Sequence, residues 1–271
     1  MPDMVRNARL IRELEGTPRP ILAFGNDYPD DFEISPHHHS RGQFLHAGSG
    51  VMTVRTEHGA WVVPPQEAMW IPAGTVHSVR MIGPVTTRSL YIRADAATDM
   101  PDTCQVLSIS GLMRELLLAA VELPIDYHED GRDGLIMSLA LAELRELRSL
   151  PLSLPFPTEA KLVRRCEKFL RRPLAGESID DWAEALAMSR RSFTRFFKRE
   201  TGMTFAHWAR QACLLVAMRR LALGDAVTTV ALDLGYESPA AFTTMFKKSL
   251  GVPPSRYFST GANRSFAGDA A

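Results

Sequence analysis

Cysteine is scarce. Cys104, Cys166 and Cys213 are odd in number and lack the paired spacing of a metal site, so they read as reduced structural thiols of a cytoplasmic protein. A disulfide framework is excluded. No uncharged apolar run reaches about 18 residues, which excludes a membrane-spanning helix. No positively charged start leads into an apolar stretch, so no signal peptide is expected. Net charge is absent as well, 31 Lys and Arg balancing 31 Asp and Glu. That zero conceals a division. Residues 1–157 carry 13 basic against 20 acidic side chains, and residues 158–271 carry 18 against 11. Such asymmetry points to a nucleic-acid-facing half joined to one with another task.

What is present is a repeat. Ile179, Trp182, Ala183 and Leu186 recur 48 residues on as Val227, Val230, Ala231 and Leu234. Phe193, Phe196, Phe197, Lys198 and Gly202 recur 49 residues on as Phe242, Met245, Phe246, Lys247 and Gly251. The spacing places apolar side chains on one helix face. Ser189 and Ser238 stand as N-caps for the second helix of each copy, and the slip falls at the longer Gly235-Tyr236 turn. Each copy therefore reads as helix, tight turn, helix, a unit that places its second helix in the DNA major groove. A plain helical bundle would mix charges on its outer face. Here Arg190, Arg191, Arg195, Lys198 and Arg199 meet only Glu200. Phe205, Trp208, Ala212, Leu215 and Leu221 predict a long helix joining the copies, long enough to reach successive groove segments about one DNA turn apart.

The first half has another character. Residues 1–20 form a short arm with several Arg. Val51–Thr56 and Trp61–Val63 flank a Glu57-to-Ala60 turn and predict a β-hairpin. Short β-like runs follow at Ala68–Ile71, Val76–Met81 and Thr86–Ile92, divided by Pro and Gly. A small sandwich or barrel is expected. From Ser110 two helices follow, one marked by Leu112 and Leu116 and ended by Pro124. The other is marked by Leu135, Leu139, Leu141, Leu144 and Leu147 and ended by Pro151. Pro151, Pro155 and Pro157 make a stiff boundary, and residues 259–271 a loose tail.

His37, His39 and Gln43, with His77 arriving from a separate turn, form a second constellation. Histidines at i and i+2 of a strand point the same way, and a third completes a three-nitrogen site for a divalent metal. The same residues read also as a surface polar cluster, or as hydrogen-bonding pocket walls.

The spacing H-x-H-x(3)-Q-x(6)-G followed by P-x-G-x(2)-H resembles the two motifs of the cupin barrel over about residues 25–95. Gln43 stands where metal-binding cupins carry Glu. A neutral amide is the weaker ligand, which favours a metal-free effector pocket of His37, His39, Gln43 and His77. Residues 158–258 resemble the AraC/XylS family of transcription regulators. The likeness is carried by Ala231 to Tyr236 with Ser238, Phe242, Phe246-Lys247-Lys248, Gly251 and Pro254.

These resemblances imply a two-domain α+β protein. It would have a cupin-like sensor domain over 1–100, a helical linker or dimerisation region over 101–157, an AraC-type domain with two helix-turn-helix units over 158–258 and a tail over 259–271. They imply base contacts from Arg191, Thr194 and Arg195 in the first recognition helix, and from Pro239, Ala240, Thr243 and Thr244 in the second. Arg190, Lys198, Lys247 and Lys248 would touch phosphates. The partners implied are duplex DNA, a small-molecule effector, a second copy of the chain and, for an activator, RNA polymerase. An enzyme is not expected. The alternative is a cupin metalloenzyme carrying a DNA-targeting module; a third reading gives the β half dimerisation alone.

Overall fold

Alternation along the strands of the first half separates a side covered by helices from a side facing a cleft. The computed structural model describes residues 16–262, so residues 1–15 of the expected arm and 263–271 of the expected tail lie outside the described residues. The strands are β1 (Ile21–Tyr28), β2 (Glu33–His37), β3 (Gly42–Ala47), β4 (Val51–Thr56), β5 (Gly59–Val63), β6 (Glu67–Ile71), β7 (His77–Ile82), β8 (Val85–Ile92), β9 (Gln105–Ser108), β10 (Arg148–Leu150) and β11 (Ser153–Pro155). The helices begin with α1 (Gly111–Val121), α2 (Arg132–Glu146), α3 (Ala160–Arg171), α4 (Ile179–Ala185) and α5 (Arg190–Thr201). They continue with α6 (Phe205–Ala222), α7 (Val227–Asp233), α8 (Pro239–Leu250) and α9 (Pro254–Ala262). The chain divides into two compact units. One runs through Thr56 and from Gln66 to Leu150; the other holds Glu57–Pro65 and everything from Pro151.

In the first unit an antiparallel sheet runs in the order β1-β8-β3-β6-β9-β10, and β4, β7 and β2 lie side by side in a second sheet. On β3 and β8 the register pairs Gln43 with Tyr91, Phe44 with Leu90 and Leu45 with Ser89. Phe44, Leu90, Trp70 and Leu107 form one core with Met113, Leu116 and Leu117 of α1 and Met137, Ala140 and Leu144 of α2. Their neighbours along the strands, Gln43, Leu45, Ser89 and Tyr91, line the cleft on the other face. A period of two thus divides packing from binding. Within residues 101–157, expected as a helical linker, α1 and α2 are joined by β9, β10 and β11. Short strands of three or four residues carry too little alternation to be read from sequence.

The second unit is built on the repeat. α4 and α7 have seven residues each, and α5 and α8 twelve. The Ser189 hydroxyl accepts from Ser192 N at 3.2 Å and that of Ser238 from Ala241 N at 3.1 Å. Gly202 and Gly251 close the two second helices in the left-handed conformation. Between the copies, α6 spans 18 residues, about 27 Å at 1.5 Å per residue. An aromatic cluster of Phe169, Trp182, Phe193, Phe197, Phe205 and Trp208 fills the first copy. Tyr236, Phe242 and Phe246 fill the second. β5 and β11 pair antiparallel beside α6, where Trp208 Nε1 donates to Pro155 O at 2.9 Å. α9 continues through residues 259–262, the first four of the expected loose tail.

Candidate functional site

The cleft lies between the two sheets of the first unit and encloses about 530 Å³, its open mouth included. Strand register builds its polar end. His37 and His77 are cross-strand partners on β2 and β7, with ring centroids 4.3 Å apart. His39 lies just past the end of β2, so strand alternation alone does not aim it, contrary to the expectation. Its ring is held by Nδ1, 2.8 Å from Arg41 O, and Gly74 N donates to its carbonyl at 2.9 Å. The potential ligand atoms of His37, His39 and His77 lie within 4.8 Å of one another.

The tautomers follow from the backbone. His37 Nδ1 lies 2.9 Å from Ser35 O, and His77 Nδ1 lies 2.8 Å from Thr75 O. A carbonyl only accepts, so each Nδ1 carries the hydrogen and each Nε2 presents a lone pair. Burial pushes the His77 imidazole down to about 3, and burial lowers His37 as well. His77 Nε2 is buried and has no hydrogen-bond partner among the described residues. Gln43 Oε1 sits 3.2 Å from His39 Nε2, while its amide Nε2 donates to the Tyr91 hydroxyl at 3.0 Å. Three imidazoles, one of them with an orphaned buried nitrogen, suit a borderline transition metal such as zinc, so the donor set fits the divalent ion that the cupin likeness implies. His37, His39 and His77 would hold it, with Gln43 beside them.

Ile34, Leu45, Val79 and Met81 form the apolar walls of the cleft, and Asn26, Thr87 and Ser89 add polar groups. The sequence reading missed Tyr91, Ser89 and Thr87. Their period of two along β8 was the available signal.

In the second unit Arg191, Thr194, Arg195 and Lys198 are exposed on α5, opposite buried Phe193 and Phe197. The one acid of this helix is withdrawn. Glu200 accepts from Thr158 Oγ1 at 2.9 Å and from Thr158 N at 3.2 Å, bonds that also hold its carboxyl below the usual range. Arg190 pairs with Asp180 at 3.0 Å and so presents less free charge than its neighbours. The Thr194 hydroxyl donates to Arg190 O at 2.8 Å. On α8, Ala240, Thr244, Lys247 and Lys248 are exposed while Pro239 and Thr243 are half-buried. Thr244 Oγ1 is likewise occupied by Ala240 O at 2.9 Å.

The three cysteines are free thiols, and burial raises Cys104 and Cys213 to about 12 and Cys166 further still. Cys166 and Cys213 are buried in the core, and Cys104 is half-buried. No helix among the described residues is long and apolar enough to cross a membrane.

Two family profiles match the chain, an AraC-like ligand binding domain over residues 20–144 and a helix-turn-helix domain over residues 182–260. The chain is 36% identical over 228 residues to the HTH-type transcriptional regulator NimR of Escherichia coli (strain K12), covering 84% of this chain and 83% of that protein. It is 28% identical over 162 residues to the HTH-type transcriptional regulator RipA of Corynebacterium glutamicum, covering 58% of this chain and 47% of that one. Among solved structures, ToxT from Vibrio cholerae with a bound unsaturated fatty acid aligns over 88% of this chain and 94% of that one. The identity there is 12% and the TM-score 0.35.

Proposed function

The chain belongs to the AraC-type family of helix-turn-helix transcriptional regulators, and we propose that it reads duplex DNA chiefly through α5 and answers to a small organic effector in the cleft. One observation carries the DNA reading: Arg191 and Arg195 stand exposed on a capped helix whose other face is locked by Phe193 and Phe197, with Glu200 turned away. A guanidinium donates two hydrogen bonds to guanine O6 and N7. On α8 the exposed groups are small, so Ala240 and the Thr244 methyl meet thymine methyls, with Pro239 and Thr243 shaping the approach. Lys198, Lys247 and Lys248, and Arg190 once freed from Asp180, neutralise phosphates.

The cleft is read as a binding site and not as a catalytic centre. The protein works in the cytoplasm as a homodimer, and contacts RNA polymerase where it activates. In this reading the sensor takes in α1 and α2, whose Met113, Leu117, Met137 and Leu144 pack with the sheet core.

The test is binding to the operator recovered by mapping occupied genomic sites. Arg195→Ala and Arg191→Ala are expected to cost about 1–3 kcal/mol each and to relax discrimination at one base pair. Lys247→Ala weakens all sequences alike and lowers the salt slope by about one ion. An Arg195→Ala variant that held its operator as tightly as the parent would remove α5 from the major groove.

A further inference from the structure

The densest run of basic residues lies outside both helix-turn-helix units. Of the 18 Lys and Arg between residues 158 and 271, six fall on α3 and its C-cap, against five on α5. Spacings of three, four and three place Lys161, Arg164, Lys168 and Arg171 in one stripe along the helix. All four are exposed, as is Arg172, while Leu162, Cys166 and Phe169 bury the opposite face. Glu159 acts on Lys161 and Arg164 only through space, because its carboxylate caps the helix by accepting from Leu162 N at 2.8 Å. Among the described residues no ion pair holds any of the five, and Glu167 is the single acid within the helix.

Like charges crowded on one helix face repel, and a merely solvated face mixes signs. The stripe also lacks the apolar and aromatic centre of a protein interface. Its shape suits a regular polyanion: from Lys161 to Arg171 it runs about 15 Å, the length of about four base-pair steps of duplex. Packing ties α3 to both helices of the first helix-turn-helix unit. Arg165 donates to Asp181 O in the first turn of α4 at 3.3 Å, and its guanidinium lies over the Trp182 ring, 4.9 Å from the centre. The adjacent Asp180 holds Arg190 at the head of α5. Glu200, at the far end of α5, accepts from Glu159 N at 3.3 Å where α3 begins. The first helix of such a unit crosses the DNA backbone while the second enters the groove. α3 is therefore fastened beside a helix that meets phosphates.

We propose that α3 is a third DNA contact, its stripe of Lys161, Arg164, Lys168, Arg171 and Arg172 lying along phosphates beside the stretch of backbone that α4 crosses. This goes beyond the two recognition helices and rests on the DNA reading above. The stripe reads no bases. Each phosphate it neutralises releases counterions, so it adds affinity for any sequence and steepens the dependence on salt. Recognition by Arg191 and Arg195 then works on DNA that α3 already holds.

The test uses the full chain with two duplexes, the operator recovered by site mapping and an unrelated sequence of the same length, over a range of salt. Lys161→Gln, Lys168→Gln and Arg171→Gln are combined in one variant. It should lose affinity for both duplexes by the same factor, about tenfold or more at 0.1 M salt, and its salt slope should fall by about two to three. Lys161→Arg with Lys168→Arg keeps the charge and should bind as the parent does. On the operator, ethylation of phosphates beside the first recognition segment should hinder the parent and leave the Gln variant indifferent. A parental salt slope in the Gln variant, an unchanged ethylation pattern, or an equal loss in the Arg variant would each overturn the proposal. So would lost transcription with unaltered DNA binding, which would make the stripe a contact for an acidic protein. Arg195→Ala is measured in parallel. Weakened operator binding there, with none in the Gln variant, would remove α3 and keep α5; no loss in either would remove the DNA reading itself.

Discussion

Ala187 adopts a backbone conformation that the second copy assigns to glycine. Its φ is 53°, and its counterpart 48 residues on is Gly235 at 76°. The turns are otherwise alike: Ala187 N donates to Glu184 O and Met188 N to Ala183 O, matched by Gly235 N to Leu232 O and Tyr236 N to Ala231 O. The extra residue of the second turn is therefore Glu237, one place beyond the Gly235-Tyr236 pair where the sequence reading put it. An L side chain in the left-handed region costs about 1–2 kcal/mol, and glycine avoids this at an entropic cost of about 0.5–1 kcal/mol. Ala187→Gly should therefore stabilise the helical unit by about 0.5–1 kcal/mol in urea unfolding, and a loss of stability would show that the Ala187 methyl makes contacts worth more than the strain.

At the scale of elements, α2 divides its leucines by face. Leu144 is buried with Met137 and Ala140 against the six-stranded sheet, whereas Leu135 is 69% and Leu139 47% exposed, one turn apart. The sequence reading left open whether this helix packs on its own chain or across a two-fold axis; one face packs on its own chain, and Leu135 and Leu139 leave another exposed. Leu135→Asp with Leu139→Asp is expected to shift the chain to monomer in sedimentation at tens of micromolar. Stability should stay within about 0.5 kcal/mol of the parent, since exposed positions touch little of their own chain. A parent that sediments as a monomer with and without DNA would rule the dimer out.

For the molecule as a whole, acid is a sharper threat than the balanced charge suggests. His46 is buried on β3 with Nδ1 3.0 Å from Glu67 O, and burial, with Arg114 and Arg88 nearby, lowers it to about 4. In the unfolded chain it takes up its proton as pH falls through about 6.5. Folded protein resists protonation until about 4, so the unfolded state binds more protons across that window and stability declines as pH falls. By pH 5 the loss from this one residue is about 2 kcal/mol. Urea unfolding of the parent between pH 7 and 5 should lose about that much more than unfolding of His46→Gln over the same range. Equal losses would mean that His46 accepts its proton within the folded protein.

The helical unit was legible in the residues because its information is local. A 3.6-residue period, serine caps and left-handed glycines act over a few residues each, so both helix-turn-helix units and the face carrying Arg191 and Arg195 follow from the chain alone. The His–Gln spacing likewise announced His37, His39, Gln43 and His77. Tertiary structure decided the rest, because it depends on pairings that no local pattern contains. β8 lies between β1 and β3, and the resulting Gln43–Tyr91 register is what gives the amide its second partner. The segment Glu57–Pro65, part of the β half by sequence, belongs to the helical unit because Leu154 of β11 pairs with Ala60 beside α6. Glu200 leaves the basic face only because Thr158, 42 residues earlier, is brought within hydrogen-bond reach. Residue types and short spacings can be read in order, whereas register and long-range hydrogen bonds exist only once distant segments meet.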